Sequence, residues 1–197
     1  MPTLAVGPDT DEQPGAQIVI VYDSSEHNAR LKAAWGFACR VTLNGRTILF
    51  DTGADEEILL SNLRGVGIDP TAIDIVFLSH IHADHVGGLP GFLRENPDVT
   101  VCAPASLPAS LAQEVRRFGA ELKQIAEPEQ LVPGVYTTGE LDGDVREQAL
   151  ILSTEAGLVV VTGCGHPGLI RVLEQAKRVT PGEIALALGG FHLGSES

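Results

Sequence analysis

Four side chains that commonly bind metal ions lie within six residues, in the segment HIHADH at residues 80–85. The segment directly follows an apolar run at residues 75–78, which predicts a strand buried on both faces. Side chains alternate along an extended backbone, so His80 and His82 are expected to point to the same side. Neutral imidazole is a common ligand of zinc and similar divalent ions, and Asp84 and His85 could serve a second ion or orient the first ligands. The spacing therefore favours a metal site over the alternative, a solvated loop rich in histidine.

Two glycine-rich segments nearer the C-terminus each carry one further histidine. The segment TGCGHPG at residues 162–168 contains Cys164 and His166, and GGFHL at residues 189–193 contains His192. Both follow apolar runs, and glycine lets the backbone turn tightly beside a ligand. We expect His166 to be a third nitrogen ligand and His192 to be a further candidate ligand. Cys164 is interpreted as a buried structural cysteine in preference to a thiolate ligand.

An acidic residue, Asp51, follows another apolar run in the sequence Asp51-Thr52-Gly53. The same tripeptide forms the catalytic turn of aspartic proteases, but that interpretation leaves every histidine unexplained. A better interpretation is that Asp51 accepts the free N–H of a metal-bound imidazole and so fixes its tautomer. Because the candidate loops all follow predicted strands, we expect them to meet at the carboxyl ends of the strands, where α/β proteins gather their sites.

Hydrophobic periodicity predicts the elements that position these loops. The predicted strands are residues 18–22, 37–43, 46–50, 75–78, 100–103, 122–125, 135–138, 149–153, 158–162 and 184–188, and the predicted helices are residues 55–66, 89–95, 106–117 and 169–179. Asn44-Gly45 favours a tight type I′ hairpin, and the last helix is predicted to bury Ile170, Leu173 and Ala176. The mixture of hairpins and alternating strands and helices indicates an α/β fold with sheet inside and helices outside. Residues 1–16, rich in proline and acids, predict a mobile tail before one domain at residues 17–197.

Charge and composition restrict the classes of function. The 197 residues include 26 acidic and 13 basic side chains, a net charge of −13, whereas a generic binder of nucleic acid or anionic membrane needs the opposite balance. No apolar run approaches the ~20 residues that cross a bilayer, and no secretory signal is visible. Three cysteines without C-x-x-C spacing suit a reducing compartment. We therefore expect a cytoplasmic protein that acts on a small molecule, with no nucleic-acid or membrane partner, and the sequence leaves the oligomeric state open.

The H-x-H-x-D-H run at residues 80–85, with the upstream D-T-G at residues 51–53, resembles the signature of the metallo-β-lactamase superfamily. GCGHPG at residues 163–168 and GGFHL at residues 189–193 resemble motifs of one branch, which includes proteins named for dihydropterin ribofuranosylaminobenzene phosphate synthase activity. The resemblance extends from about residue 18 to residue 193. It implies an αββα sandwich, here shortened at its C-terminus, with one or two metal ions at one edge.

The residues and the resemblance together predict a metal-dependent hydrolase. The expected ligands of one ion are His80, His82 and His166, and those of a second ion are Asp84, His85 and His192. Zinc is the first expectation, with manganese or iron as alternatives. Such an ion lowers the pKa of bound water to about 7, and Asp84 is expected to orient this nucleophile and to receive its proton. The predicted reaction is attack on an ester, lactone, thioester or phosphodiester of a small molecule.

Two other functions stay open at this stage. Members of the branch usually continue past G-G-F-H-L to a further histidine, whereas none follows His192 here. The alternative is therefore a non-catalytic metal-binding protein with an incomplete second site. Redox chemistry at a di-iron site is disfavoured, because relatives with that chemistry usually couple to a flavin domain that this sequence does not include. Trp35 is expected either to wall the pocket or to make a hydrophobic contact at the sheet edge.

Overall fold

The N-terminal half of the chain forms a six-stranded sheet in the computed structural model, which describes residues 15–25 and 28–191. In spatial order its strands are β1 (Gln17–Tyr22), β2 (Ala38–Leu43), β3 (Arg46–Phe50), β4 (Ile75–Phe77), β5 (Thr100–Pro104) and β6 (Glu121–Ile125). The pairs β1–β2 and β2–β3 are antiparallel, and β3 to β6 run parallel. The tight turn between β2 and β3 has positive φ at Asn44 and Gly45, as the Asn-Gly pair predicts.

Helices connect the parallel strands and cover the outer face of this sheet. They are α1 (Glu56–Gly65), α2 (Ala83–Val86), α3 (Leu89–Glu95) and α4 (Ala109–Phe118). The Asp55 side chain caps α1 by accepting from the backbone N–H of Ile58. A short 3₁₀ turn at Pro70–Ala72 is capped by the Asp69 side chain, which accepts from the backbone N–H of Thr71.

The C-terminal half forms a second sheet of five strands. Its strands are β7 (Glu129–Val132), β8 (Val135–Thr137), β9 (Leu150–Thr154), β10 (Gly157–Thr162) and β11 (Ile184–Gly189), in the spatial order β11-β10-β9-β8-β7. The pairs are antiparallel except β10 with β11, which are parallel and are connected through α5 (Leu169–Val179). This helix covers the outer face of the second sheet.

Alternation along the strands builds three apolar layers. Ile75 and Phe77 face the second sheet, while Val76 packs toward the helices of the first sheet. In the second sheet Val161 faces inward and Val160 packs against α5. Period-two alternation thus places a core between the sheets and one under each helical layer. The predicted αββα sandwich is confirmed.

Three details differ from the sequence prediction. Helix α4 begins at Ala109 and not at residue 106, because a proline at 108 disfavours the helical conformation at Leu107. The polar strand β7 and the one-turn helix α2 carry too little periodic signal to be predicted. In α5 the buried residues are Val172 and Ala176, whereas Ile170 is 70% exposed, so the predicted inward face was wrong at Ile170.

The limits of the domain stay a prediction. Most of the predicted tail at residues 1–16 lies outside the described residues, and β1 begins at Gln17. Within residues 15–25 and 28–191, no helix combines the length and the hydrophobicity that a bilayer crossing requires.

Replacing Phe77 with alanine tests the core between the sheets. The Phe77 ring is fully buried and stacks on Phe50, with the ring centroids 5.4 Å apart. Its removal should lower the free energy of unfolding by about 3–5 kcal/mol, because the apolar contact is lost and a cavity is left. Urea unfolding measures this change. The exposed Ile170→Ala variant should change stability by no more than about 0.5 kcal/mol, and equal losses in both variants would contradict the layer arrangement.

Candidate metal centre

The predicted site residues follow the ends of β3, β4 and β10, which come together at one edge of the sandwich. A side chain at Gly163, directly after β10, would place its Cβ 2.1 Å from Ser79 Oγ and 2.9 Å from His80 Nδ1. Only glycine lets the two segments approach this closely. The β10 end, which belongs to the second sheet, thereby reaches the histidine loop of the first.

Three imidazoles from two separate loops converge at this edge. The ring centroid of His80 lies 4.8 Å from that of His82 and 4.9 Å from that of His166, and the last two are 4.8 Å apart. One nitrogen from each ring lies within 4.8 Å of the others. Three imidazole nitrogens at this spacing form a donor set that fits zinc and similar divalent ions.

The hydrogen bonds of Ser79 select the tautomer of His80. The Ser79 hydroxyl lies 2.7 Å from Asp51 Oδ2 and 2.9 Å from His80 Nδ1. An ionised carboxylate only accepts, so the single hydroxyl proton goes to Asp51 and His80 Nδ1 donates to the hydroxyl oxygen. In this tautomer the lone pair of neutral His80 lies on Nε2. A metal ion would therefore bind His80 through Nε2.

Asp51 is buried and organises two site segments. Its carboxylate accepts from the Ser79 backbone N–H at 2.7 Å, from the Ser79 hydroxyl, and from His85 Nδ1 at 2.7 Å. Its backbone has φ of +53°, a left-handed conformation that aspartate tolerates better than most residues. Burial raises the pKa of the Asp51 carboxyl, whereas His85 and the Ser79 donors act in the opposite direction. The geometry agrees with the predicted role of Asp51 in fixing an imidazole tautomer.

His85 lies between Asp51 and two further donors. Its side chain is 2% exposed, and its Nε2 lies 3.2 Å from Cys164 Sγ and 3.5 Å from Asp84 Oδ2. Burial by itself lowers the pKa of His85, but the Asp51 carboxylate and the contact with Cys164 outweigh it and raise the pKa to about 10. The Asp51 charge that raises the pKa of His85 also favours a metal cation.

Glu147 is a site residue that the sequence analysis missed. Its carboxylate is 1% exposed and accepts from five donors along the loop after β10. They are Thr162 Oγ1 at 2.7 Å and the backbone N–H groups of Gly163 at 2.8 Å, Cys164 at 3.1 Å, Gly165 at 3.1 Å and His166 at 2.9 Å. The carboxylate therefore fixes the backbone that carries Cys164 and His166.

The sequence contained one signal for Glu147. Successive backbone N–H groups in a glycine-rich loop form a concavity that needs an anion, and TGCGHPG at residues 162–168 is such a loop. Glu147 lies in the sequence REQAL at residues 146–150, directly before β9. A carboxylate is costly to bury unless it is hydrogen-bonded, so burial here requires a partner that supplies donors. The spacing of residues in the sequence does not predict which loop provides that partner.

A pocket of about 300 Å³ opens beside the histidine cluster. Asp84, His85 and Cys164 line it on the side of the cluster, and Trp35 lines it with a 74% exposed ring. Of the two roles expected for Trp35, the structure supports the pocket wall. The lining residues that the structure describes include Asp23 and Asp84 but neither lysine nor arginine.

The structure brings together most of the candidate ligands. His80, His82 and His166 form one group, and Asp84 and His85 lie beside it. Cys164 differs from the sequence interpretation, because it is only partly buried and faces His85, whereas Cys39 and Cys102 are the buried cysteines. His192 lies outside the described residues, so its assignment as a ligand stays a prediction.

Comparison with known proteins identifies the family. The family described as metallo-beta-lactamase superfamily matches residues 37–178. The chain belongs to this superfamily. Among curated relatives, it is 28% identical over 204 residues to 7,8-dihydropterin-6-methyl-4-(beta-D-ribofuranosyl)-aminobenzene-5'-phosphate synthase of Methanocaldococcus jannaschii, which covers 80% of this chain and 69% of the relative.

Two further comparisons give an enzyme relative and a solved structure. Ribonuclease Z of Nanoarchaeum equitans is 26% identical over 166 residues, which cover 74% of this chain and 51% of that enzyme. The solved structure of Tm1679, a metal-dependent hydrolase of the beta-lactamase superfamily, is 26% identical with a TM-score of 0.72, and the match covers 93% of this chain and 78% of Tm1679. Members of this superfamily typically bind divalent metal ions, and the histidine group described above is the matching feature of this chain.

Replacing Asp51 with asparagine should weaken metal binding. The variant keeps the shape of the side chain but loses the charge that orients His85 and, through Ser79, His80. Loss of such a supporting group typically lowers metal affinity about 10–100-fold. Competition with a chromophoric chelator measures the affinity, and the exposed Asp98→Asn variant is the control. An unchanged affinity in Asp51→Asn would show that the buried carboxylate does not support the site.

Replacing Glu147 with glutamine should loosen the loop that carries His166. An amide keeps one oxygen for the donors that point at Oε1 but turns its NH₂ group toward the backbone N–H of His166, which then loses its acceptor at a cost of about 1–3 kcal/mol in unfolding free energy. Metal affinity should fall as well, because the loop no longer fixes His166. Thermal unfolding and chelator competition measure the two effects. The exposed Glu155→Gln variant, in the turn between β9 and β10, should match wild type in both.

Proposed function

We propose that this protein is a hydrolase that uses a metal-activated water to attack an ester, lactone, thioester or phosphodiester of a small molecule. The observation that carries the proposal is the convergence of His80, His82 and His166 next to His85, which lines a pocket together with Asp84. A purely structural metal site is closed by its ligands, whereas a catalytic site keeps an open position facing a cavity. The pocket supplies an open side next to Asp84 and His85.

The residues fit a divalent ion in two neighbouring positions. The three histidines would hold one ion, and Asp84 and His85 would contribute to a second. Zinc is the first choice for a histidine-rich donor set, and iron or manganese are the alternatives. When bound, such an ion supplies hydroxide at neutral pH and polarises the electrophilic oxygen of the substrate.

The protein's own residues orient the reaction. Asp84 lies at the pocket, with its carboxylate 3.5 Å from His85 Nε2, where it can hold the attacking water and accept its proton. Asp51 holds the His85 ring in one orientation by accepting from its Nδ1, while Nε2 on the other side of the ring faces Asp84. The exposed Trp35 ring provides an apolar surface for the non-reacting part of a substrate.

The pocket and the net charge favour a small, weakly charged substrate. The described lining residues include no lysine or arginine, and the chain carries a net charge of −13, so binding of a long polyanion or of a remote phosphate is not favoured there. For this reason the substrates of the ribonuclease Z and phosphate synthase relatives are not proposed for this protein. We also propose a cytoplasmic location, because all three cysteines are free.

Replacing His82 with alanine tests the metal-dependent chemistry. The variant removes one of three nitrogen donors, so bound metal and hydrolysis should both be lost. Elemental analysis of protein purified without added metal gives the metal content, and a panel of lactones, thioesters, esters and phosphodiesters gives the activity. The matched control is Ile81→Ala, which changes the exposed neighbouring side chain and should keep both properties.

Two outcomes would overturn the proposal. Hydrolysis retained in His82→Ala would show that the histidine group is not responsible for the chemistry. A wild-type protein loaded with metal but inactive across the whole panel would favour the alternative, a non-catalytic metal-binding protein.

A further inference from the structure

We propose that the thiolate of Cys164 is a metal ligand, so that the second cation position is a mixed site of oxygen, nitrogen and sulfur from Asp84, His85 and Cys164. The inference rests on the metal-binding part of the proposed function and is independent of hydrolysis. It gives the second position three ligands from the described residues, without requiring His192.

The orientation of His85 is the first step. Its Nδ1 donates to the buried Asp51 carboxylate at 2.7 Å, which leaves Nε2 as the nitrogen for any other partner. The ring is 2% exposed and cannot turn toward solvent. Its Nε2 is therefore directed at the place where Cys164 Sγ and Asp84 Oδ2 are found, and both of these residues line the pocket.

The distances between these donor atoms are close to the edges of a zinc coordination tetrahedron. Ligand bonds of about 2.3 Å to sulfur and about 2.0–2.1 Å to nitrogen at a tetrahedral angle separate the two ligand atoms by about 3.5 Å. The observed separation of Cys164 Sγ and His85 Nε2 is 3.2 Å. A nitrogen and a carboxylate oxygen on the same ion would be about 3.4 Å apart, and Asp84 Oδ2 lies 3.5 Å from His85 Nε2. Both separations are thus within a few tenths of an ångström of the expected values. The Asp84 carboxylate would have to turn toward Cys164 to close the third edge, because the ligand atoms that lie within 4.8 Å of one another on this side are those of His80, His85 and Cys164.

The backbone around Cys164 is fixed in this position. Glu147 accepts from the N–H of Cys164 and from those of both neighbouring glycines, so the thiol is held by a buried carboxylate and not by a mobile loop. The ligand atoms of His80, His85 and Cys164 also lie within 4.8 Å of one another. The proposed position is therefore adjacent to the three-histidine group.

The other two cysteines of this protein have packing roles and differ from Cys164 in their surroundings. Cys39 and Cys102 are buried among apolar side chains between the sheets, and burial raises the pKa of the Cys102 thiol to about 12. Cys164 is partly exposed and its neighbours are polar metal-binding groups. The competing explanation is a plain hydrogen bond from the Cys164 S–H to His85 Nε2, which requires no metal.

A thiolate ligand predicts a metal preference. Soft sulfur ligands select zinc, cobalt or iron over magnesium and manganese, and the thiol must release its proton to solvent when the metal binds. The two explanations for Cys164 therefore predict different absorption spectra for the cobalt-bound protein. A thiolate bound to Co²⁺ gives an intense near-ultraviolet charge-transfer absorption, which imidazole and carboxylate ligands do not give.

The test is a cobalt titration of the full-length protein after metal removal, followed by absorption spectroscopy and by metal analysis of the desalted protein. Wild type should bind two Co²⁺ per chain and develop the sulfur-to-cobalt band with the binding of one of them. Cys164→Ser should lose the band and bind the second Co²⁺ at least 10-fold more weakly, while keeping the first. Cys102→Ala, the matched control, should keep the band and both ions. Circular dichroism of each variant verifies folding.

The failures are distinguishable. Cobalt bound without the band in wild type, or a band that survives in Cys164→Ser, would overturn the role of Cys164 and leave the three-histidine site intact. If Cys164→Ser does not fold, alkylation of wild type gives the same information: the second equivalent of bound Zn²⁺ should protect Cys164, and unchanged alkylation would overturn the proposal. A folded wild-type protein that binds no cobalt at all would overturn this proposal and the proposed function together.

Discussion

The buried carboxylate of Asp51 is the contact on which the arrangement of the site depends. It lies just after β3, between the ends of two parallel strands, and joins the backbone and hydroxyl of Ser79 to the ring of His85. These hydrogen bonds set the tautomer of one imidazole directly and of His80 through a serine. An ionised carboxylate in an apolar interior is costly unless it is fully hydrogen-bonded, and here its partners are the groups that position the site.

Glu147 repeats this principle on the other sheet. The Asp51 carboxylate hydrogen-bonds to the loop after β4 of the six-stranded sheet. The Glu147 carboxylate hydrogen-bonds to the loop after β10 of the five-stranded sheet. Both carboxylates are buried, and both place negative charge close to the segments that carry the imidazoles. This electrostatic setting favours a divalent cation, while the glycine at position 163 removes the side chain that would keep the two loops apart.

The functional consequences follow from where the two sheets meet. The three-histidine group draws His80 and His82 from one sheet and His166 from the other, so a metal ion would join the two halves of the sandwich. The pocket lies on the Asp84, His85 and Cys164 side of this group. The described lining includes no lysine or arginine and the chain is acidic, which favours a small substrate held by apolar contact and by metal ions over a polyanion held by surface charge.

The sequence by itself predicted a layered α/β fold, most strands and helices, and the donor-rich segments, because period-two and helical patterns and the H-x-H-x-D-H spacing are local signals. The αββα order was implied by the resemblance to the metallo-β-lactamase superfamily. The sequence also indicated Asp51 as a partner of a metal-bound imidazole. The tertiary structure alone decided that Glu147 holds the loop of His166, that Cys164 faces His85, and that Trp35 lines the pocket. These contacts join residues on different elements, up to 79 positions apart for Cys164 and His85, and no periodicity within one segment records which distant loop a side chain will meet.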